Sequence, residues 1–112
     1  MDQERRSQWL RGVLDVCVLA LLAGRETYGY QLAQSLDRAG LGPIRGGTLY
    51  PVLLRLQRTG LILGEWRAGE AGPARRYYRL TPDGELALRT TGRDWQVFAD
   101  QVGAVLGEAV TR

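Results

Sequence analysis

A chain of 112 residues with 45% hydrophobic and 24% charged positions amounts to one domain of ordinary globular composition, which excludes a disordered chain. It has no histidine and a single cysteine, Cys17, so an intramolecular disulfide is excluded and a transition-metal site would rest on carboxylates alone, a poor basis for selectivity. The longest apolar stretch, 16–23, is far short of the roughly 20 residues that span a bilayer, and the mixed-charge N-terminal flank without a small-residue cleavage site is not a secretion signal, so a cytoplasmic protein without membrane partners is expected.

The net charge of +3 is unevenly placed. Between Pro43 and Leu80 seven arginines stand against two glutamates, which gives that segment +5 and leaves −2 for the rest. A basic middle between neutral-to-acidic ends is the pattern of a local polyanion-binding face. Every basic residue is arginine; a GC-rich genome explains that equally, so nothing functional is read from it.

Residues 4–23 read as one helix, with Leu10, Leu14, Cys17 and Leu21 on one face and Trp9, Val13, Val16 and Ala20 on the next. Its second half is apolar nearly all round and so expected to be buried, and Gly24 is its stop. Thr27 is the expected N-cap of a second helix, Tyr28–Ala39, that buries Leu32, Leu36 and Ala39 and ends at Gly40. Thr48 is the expected cap of a third helix running to Thr59, with Pro51 in its first turn, where the missing N–H is harmless. Leu49, Val52, Leu53 and Leu56 form its core face, and Gly60 is its C′ residue. Two strands, Leu61–Arg67 and Arg75–Leu80, flank a Gly/Pro-containing loop. Thr81 caps a last helix with Pro82 at its first position. From Leu88 the positions 88, 91, 95, 98, 102, 105 and 109 alternate in steps of three and four, the seam of a helix that packs on another helix. The expected fold is mainly α with a small β-hairpin: a winged helix-turn-helix domain over 1–81 and a C-terminal dimerisation helix over 82–112.

Several short stretches carry a resemblance. Gly47-Thr48-Leu49-Tyr50-Pro51-Val52-Leu53-Leu54-Arg55-Leu56, followed by Thr59-Gly60-Leu61-Ile62, resembles the third helix of PadR-type regulators. Arg75-Arg76-Tyr77-Tyr78-Arg79-Leu80-Thr81-Pro82-Asp83-Gly84 looks like that family's second wing strand and the start of its C-terminal helix, and Tyr28-Gly29-Tyr30-Gln31-Leu32 is similar to its second helix. The motifs stand in the family's order over roughly residues 10 to 85. The resemblance implies a homodimer that represses genes by binding an inverted-repeat operator. A single helix after the wing looks like the small subfamily, in which some members bind flat aromatic or cationic compounds between the two subunits.

The third helix is the expected reader of double-stranded DNA, because a helix fits the major groove and its N-terminal residues reach base edges. Its outward set includes Thr48, Tyr50, Leu54, Arg55 and Arg58; Arg75 and Arg76, nearest the hairpin tip, are the expected wing contacts, and Tyr28 completes the DNA-binding set. Strand alternation sends the wing arginines to both faces, so not all can touch DNA. Leu88, Trp95, Phe98, Val102 and Val105 are the expected dimer interface. Trp95 and Phe98, with Trp9 from the first helix, either simply pack there or line a ligand site. Cys17, on an apolar face, reads as a small buried hydrophobe rather than a redox sensor. No phosphate-binding glycine loop, nucleophile elbow or paired acids point to an enzyme, and no cofactor is expected. The competing reading is a winged helix used for protein–protein contact, which has no need of a basic wing.

Overall fold

The structure, a computed structural model, describes residues 1–111. The chain runs through α1 (Gln3–Leu10), α2 (Leu14–Leu22), β1 (Thr27–Tyr28), α3 (Gly29–Arg38), α4 (Gly46–Arg58), β2 (Ile62–Arg67), β3 (Arg75–Leu80) and α5 (Pro82–Val110). This is the expected mainly helical, winged helix-turn-helix architecture. Arg112, the last residue of the expected dimerisation helix, lies outside the described residues.

The single helix expected over 4–23 is two helices. Asp2 caps α1 by accepting from the Glu4 N–H at 2.9 Å, and the helix closes at Arg11–Gly12. Glycine costs a helix interior about 1 kcal/mol relative to alanine, and Val13 leaves helical geometry at φ −135° while its N–H turns back to the Leu10 carbonyl at 3.0 Å. The break lets the polar α1 lie on the surface with only Leu10 buried, while α2 enters the core with Leu14, Val18, Leu19 and Leu22.

Helices α3 and α4 end alike. Gly40 and Gly60 adopt positive φ, 89° and 76°, and the following residue, Leu41 or Leu61, donates back to the Leu36 or Leu56 carbonyl at 2.9 Å. That pairing satisfies carbonyls that a helix end leaves open. The helix starts correct two expectations. Thr27 is not a cap: it is extended, buried, and paired with Tyr78 in β1, and its hydroxyl donates to Gln31 Oε1 at 2.6 Å. Tyr28 stands at the N-cap without a side-chain bond. Likewise α4 begins at Gly46, two residues before the expected cap Thr48; Arg45 is the N-cap, and its carbonyl accepts from both Thr48 and Leu49 at 2.9 Å. Pro51 is therefore in the second turn, not the first. It leaves the Gly47 carbonyl without its usual i+4 donor, at an exposed position of the helix.

The expected hairpin acquires β1 as a third strand, in the order β1-β3-β2, all antiparallel. Register pairs Ile62 with Leu80, Gly64 with Tyr78 and Trp66 with Arg76. These six side-chain positions face the helices, and Leu63, Glu65, Arg67, Arg75, Tyr77 and Arg79 face away. The core is the leucine-rich seam of α2, α3 and α4, closed by Ile62 and Tyr78.

One knot joins wing root, α4 end and α5 start. The Thr81 hydroxyl donates to the Gly60 carbonyl at 2.7 Å and accepts from the Gly84 N–H at 3.0 Å, and the Thr81 N–H donates to the Leu61 carbonyl at 3.1 Å. Thr81 is thus the N-cap, with Pro82 opening the helix. Gly84 is buried against the Leu61 carbonyl oxygen so closely that a Cβ there collides with it. Past Ala87 and Leu88, which pack on the core, α5 leaves the body of the domain. Its 29 residues make a rod about 43 Å long in a molecule measuring 58 × 30 × 20 Å. No helix among the described residues is long and apolar enough to cross a membrane.

Candidate nucleic-acid interface

A groove of about 590 Å³ runs between the N-terminus of α3, the exposed flank of α4 and the wing. Tyr28, Gly29, Tyr30, Tyr50, Trp66, Arg75, Arg76 and Tyr78 line it. Its geometry follows from helical and strand periodicity. In α4, Leu49, Val52, Leu53 and Leu56 are buried, so at 100° per residue Gly47, Leu54 and Arg58 point straight out, Tyr50 and Gln57 lean toward the wing, and Thr48 and Arg55 lean the other way. The Tyr50 ring lies over the start of α3, close against Gly29: a Cβ there sits 2.7 Å from the Tyr50 hydroxyl and moves the ring aside.

The wing arginines divide as alternation requires. Arg76 is on the helix-facing side, over the Trp66 ring at 5.6 Å, and its Nη2 donates to Gln57 Oε1 at 2.7 Å. Arg75 is on the outer side, 4.5 Å above the Tyr28 ring, which in turn meets Tyr77 edge-on at 5.4 Å. Arg67 lies over Tyr77 at 4.8 Å but is bound by Glu26 through two 2.7 Å hydrogen bonds and by Glu65 at 3.3 Å. The guanidinium holds the Glu26 carboxyl below its usual range. Burial pushes the Tyr78 hydroxyl up, against the pull of Arg76 beside it.

Of the expected DNA-binding residues, the groove unites Tyr28, Tyr50, Arg75 and Arg76, and Arg58 flanks it on the outward face of α4. Thr48 and Arg55 are elsewhere: both line a second groove between α1, α2 and α4. Arg55 is held there by Asp15 of α2 through bonds of 3.1 and 2.7 Å, which raise its pKa further. Of the seven arginines between Pro43 and Leu80, Arg55 and Arg67 carry salt bridges; Arg45, Arg58, Arg75, Arg76 and Arg79 have none among the described residues. Sequence reasoning missed Tyr30, Gln57 and Trp66. An exposed tryptophan between Glu65 and Arg67 in a short strand was the available signal for one; Gln57 had none, since its role depends on a residue 19 positions away.

On α5, Trp95, Phe98, Val102 and Val105 share one flank with Leu88 and are all solvent-exposed in the single chain, Trp95 at 37% and Phe98 at 58%. Leu88 alone is half-buried. Trp9 is exposed on α1, a separate element. Cys17 is half-buried, and burial pushes its thiol pKa up. Among the described residues no acids or cysteine converge as a metal site.

A helical core that presents one exposed helix beside a basic hairpin defines the class: a winged-helix DNA-binding regulator. The family model described as the transcriptional regulator PadR-like family matches residues 18–90. This chain belongs to the PadR-like family of transcriptional regulators. It is 38% identical over 95 residues to the transcriptional regulator Rv3488 of Mycobacterium tuberculosis, a match covering 85% of this chain and 87% of that one. The crystal structure of a PadR-like transcriptional regulator from Bacillus cereus superposes with TM-score 0.78 at 36% identity, covering 88% of this chain and 96% of that one. A PadR family regulator from Eggerthella lenta gives 0.77 at 40% identity, covering 88% and 86%.

Proposed function

We propose that the chain acts as a homodimeric repressor that binds an inverted-repeat operator with α4 and the wing, and is released by a flat aromatic or cationic ligand. In this reading Tyr28, Tyr50, Arg58, Arg75 and Arg76 contact DNA. Residues 1–81 form the DNA-binding unit and α5 the dimerisation helix. The observation that carries the reading is the groove in which Arg75 and Arg76 stand beside three exposed or half-exposed tyrosines, Tyr28, Tyr30 and Tyr50, with Arg58 on the outward face of the adjoining α4, and with no carboxylate salt-bridged to those arginines among the described residues. Arginines so placed suit phosphates and the negative minor groove. Dimerisation is supported by the exposed flank of α5, since apolar residues in a three-four spacing gain stability only when a second helix covers them. The ligand part rests on Trp95 and Phe98 in that flank, where a planar molecule between two indoles gains about 0.5–1.5 kcal/mol per ring pair beyond area burial. To induce, it must bind the DNA-incompetent arrangement better.

The test is fluorescence anisotropy of a labelled mixed-sequence duplex over a salt series. Affinity falls steeply with salt, and Arg58→Ala and Arg76→Ala each lower the slope by about 0.9. Binding that is indifferent to salt between about 50 and 200 mM, where a multi-phosphate binder loses orders of magnitude, returns the wing to protein docking. For the ligand, a bisbenzimide dye quenches Trp95 fluorescence in a Trp9→Phe, Trp66→Phe background; no quenching there refutes that part alone.

A further inference from the structure

Arg76 is not a free-swinging surface cation. Its guanidinium lies flat across the wing sheet over Gly64, where a Cβ sits 2.6 Å from its Nε and 2.7 Å from its Nη2. Trp66, its cross-strand partner, presents a ring face 5.6 Å away. The third side is Gln57 of α4, whose Oε1 accepts from Nη2 at 2.7 Å. Gln57 is itself oriented, because its Nε2 donates to the Leu53 carbonyl one turn back at 3.3 Å. With the amide nitrogen committed to its own helix, the amide oxygen is left to face the wing.

Such a cradle acts on two elements at once. It ties the last turn of α4 to the start of β3, and it takes up in advance the rotamer freedom that an arginine otherwise loses on binding. We propose that Gln57 and Gly64 are positioning residues that hold the Arg76 guanidinium in place between wing and α4, so that both elements present their cations to DNA at one fixed spacing. The inference rests on the DNA-binding face described above. Gln57 keeps Arg76 in the groove by its acceptor oxygen, and Gly64 does so by the absence of a side chain.

The experiment is a double-mutant cycle on duplex affinity in the full chain. Gln57→Met keeps the length and removes the acceptor. Gly64→Ala meets only the far end of a flexible side chain, so it leaves the fold intact and displaces the guanidinium. Each weakens binding about five-fold, the net worth of one ordinary hydrogen bond in a partly wet site, with the salt slope unchanged because no cation is lost. In an Arg76→Ala background neither has any further effect. Silence of either variant, or a loss that persists undiminished without Arg76, overturns the inference. Arg58→Ala, measured alongside, separates the two levels: if it and Arg76→Ala also leave affinity untouched, the DNA face itself is wrong, whereas if both weaken binding while the cradle variants are silent, only the positioning roles fall.

Discussion

Replacing Gly84 by alanine tests the knot at the start of α5. The Cβ added there runs into the Leu61 carbonyl oxygen, which is backbone and cannot swing aside. Leu61 is doubly anchored: its N–H donates to Leu56 and its carbonyl accepts from Thr81. Relief therefore requires α5 to lift from the wing root, and that stretches the Thr81 N–H bond to Leu61 and the Thr81 hydroxyl bond to Gly60. Two such hydrogen bonds are worth about 1 kcal/mol each, and overpacking in a tight contact adds about 1–3 kcal/mol, so Gly84→Ala costs roughly 3–5 kcal/mol. At about 4–8 °C per kcal/mol for a domain near this size, the thermal midpoint falls by well over 10 °C. Gly103→Ala in the same helix is the control. Nothing stands within 4 Å of its added Cβ, and alanine favours an exposed helix by about 1 kcal/mol, so its midpoint rises. Thermal unfolding followed by far-ultraviolet circular dichroism reads both. Equal effects of the two substitutions, or a Gly84→Ala protein as stable as the parent, refute the close-contact argument.

Trp95→Asp places a charge in the exposed flank of α5 and splits the proposed dimer into monomers at micromolar concentration, read by light scattering; a mass equal to that of the parent removes that flank from the interface. Asp15→Asn frees Arg55, so non-specific duplex affinity and its salt slope both rise, and an unchanged slope means Arg55 stays out of reach of DNA. Cys17 reacts with a disulfide reagent more slowly than free cysteine at neutral pH. Burial raises its pKa, so the reactive thiolate forms only as pH climbs past the ordinary thiol value; a fast neutral reaction contradicts this.

Much of this architecture was legible because it rests on local chemistry. Gly40 and Gly60 end their helices for the reason glycine usually does, and Thr81-Pro82 starts α5 where a hydroxyl cap and a fixed φ are both needed. The misreadings share another character. Apolar periodicity carries through Arg11–Val13 because the faces of α1 and α2 are nearly in phase, and only Gly12 hinted at the break. A two-residue strand is too short for any period to show, so Thr27 read as a cap when pairing with Tyr78 of the central strand had claimed it. Within the candidate site, counting arginines was a sound guide to sign and a poor one to place: Arg55 meets Asp15 and Arg67 meets Glu26 across about forty residues, and such pairings exist only once the chain has folded.

Because Thr81 bonds to both Gly60 and Leu61, α5 is welded to the end of α4 and the root of the wing as one lever with its fulcrum at the knot. Over about 43 Å, each degree of tilt at that fulcrum sweeps the far tip through about 0.7 Å. Read in the opposite direction, a clamp on the distal arm governs the aim of the reading head with fine gearing, so that sliding the arm by ångströms turns α4 and the wing together by only a few degrees.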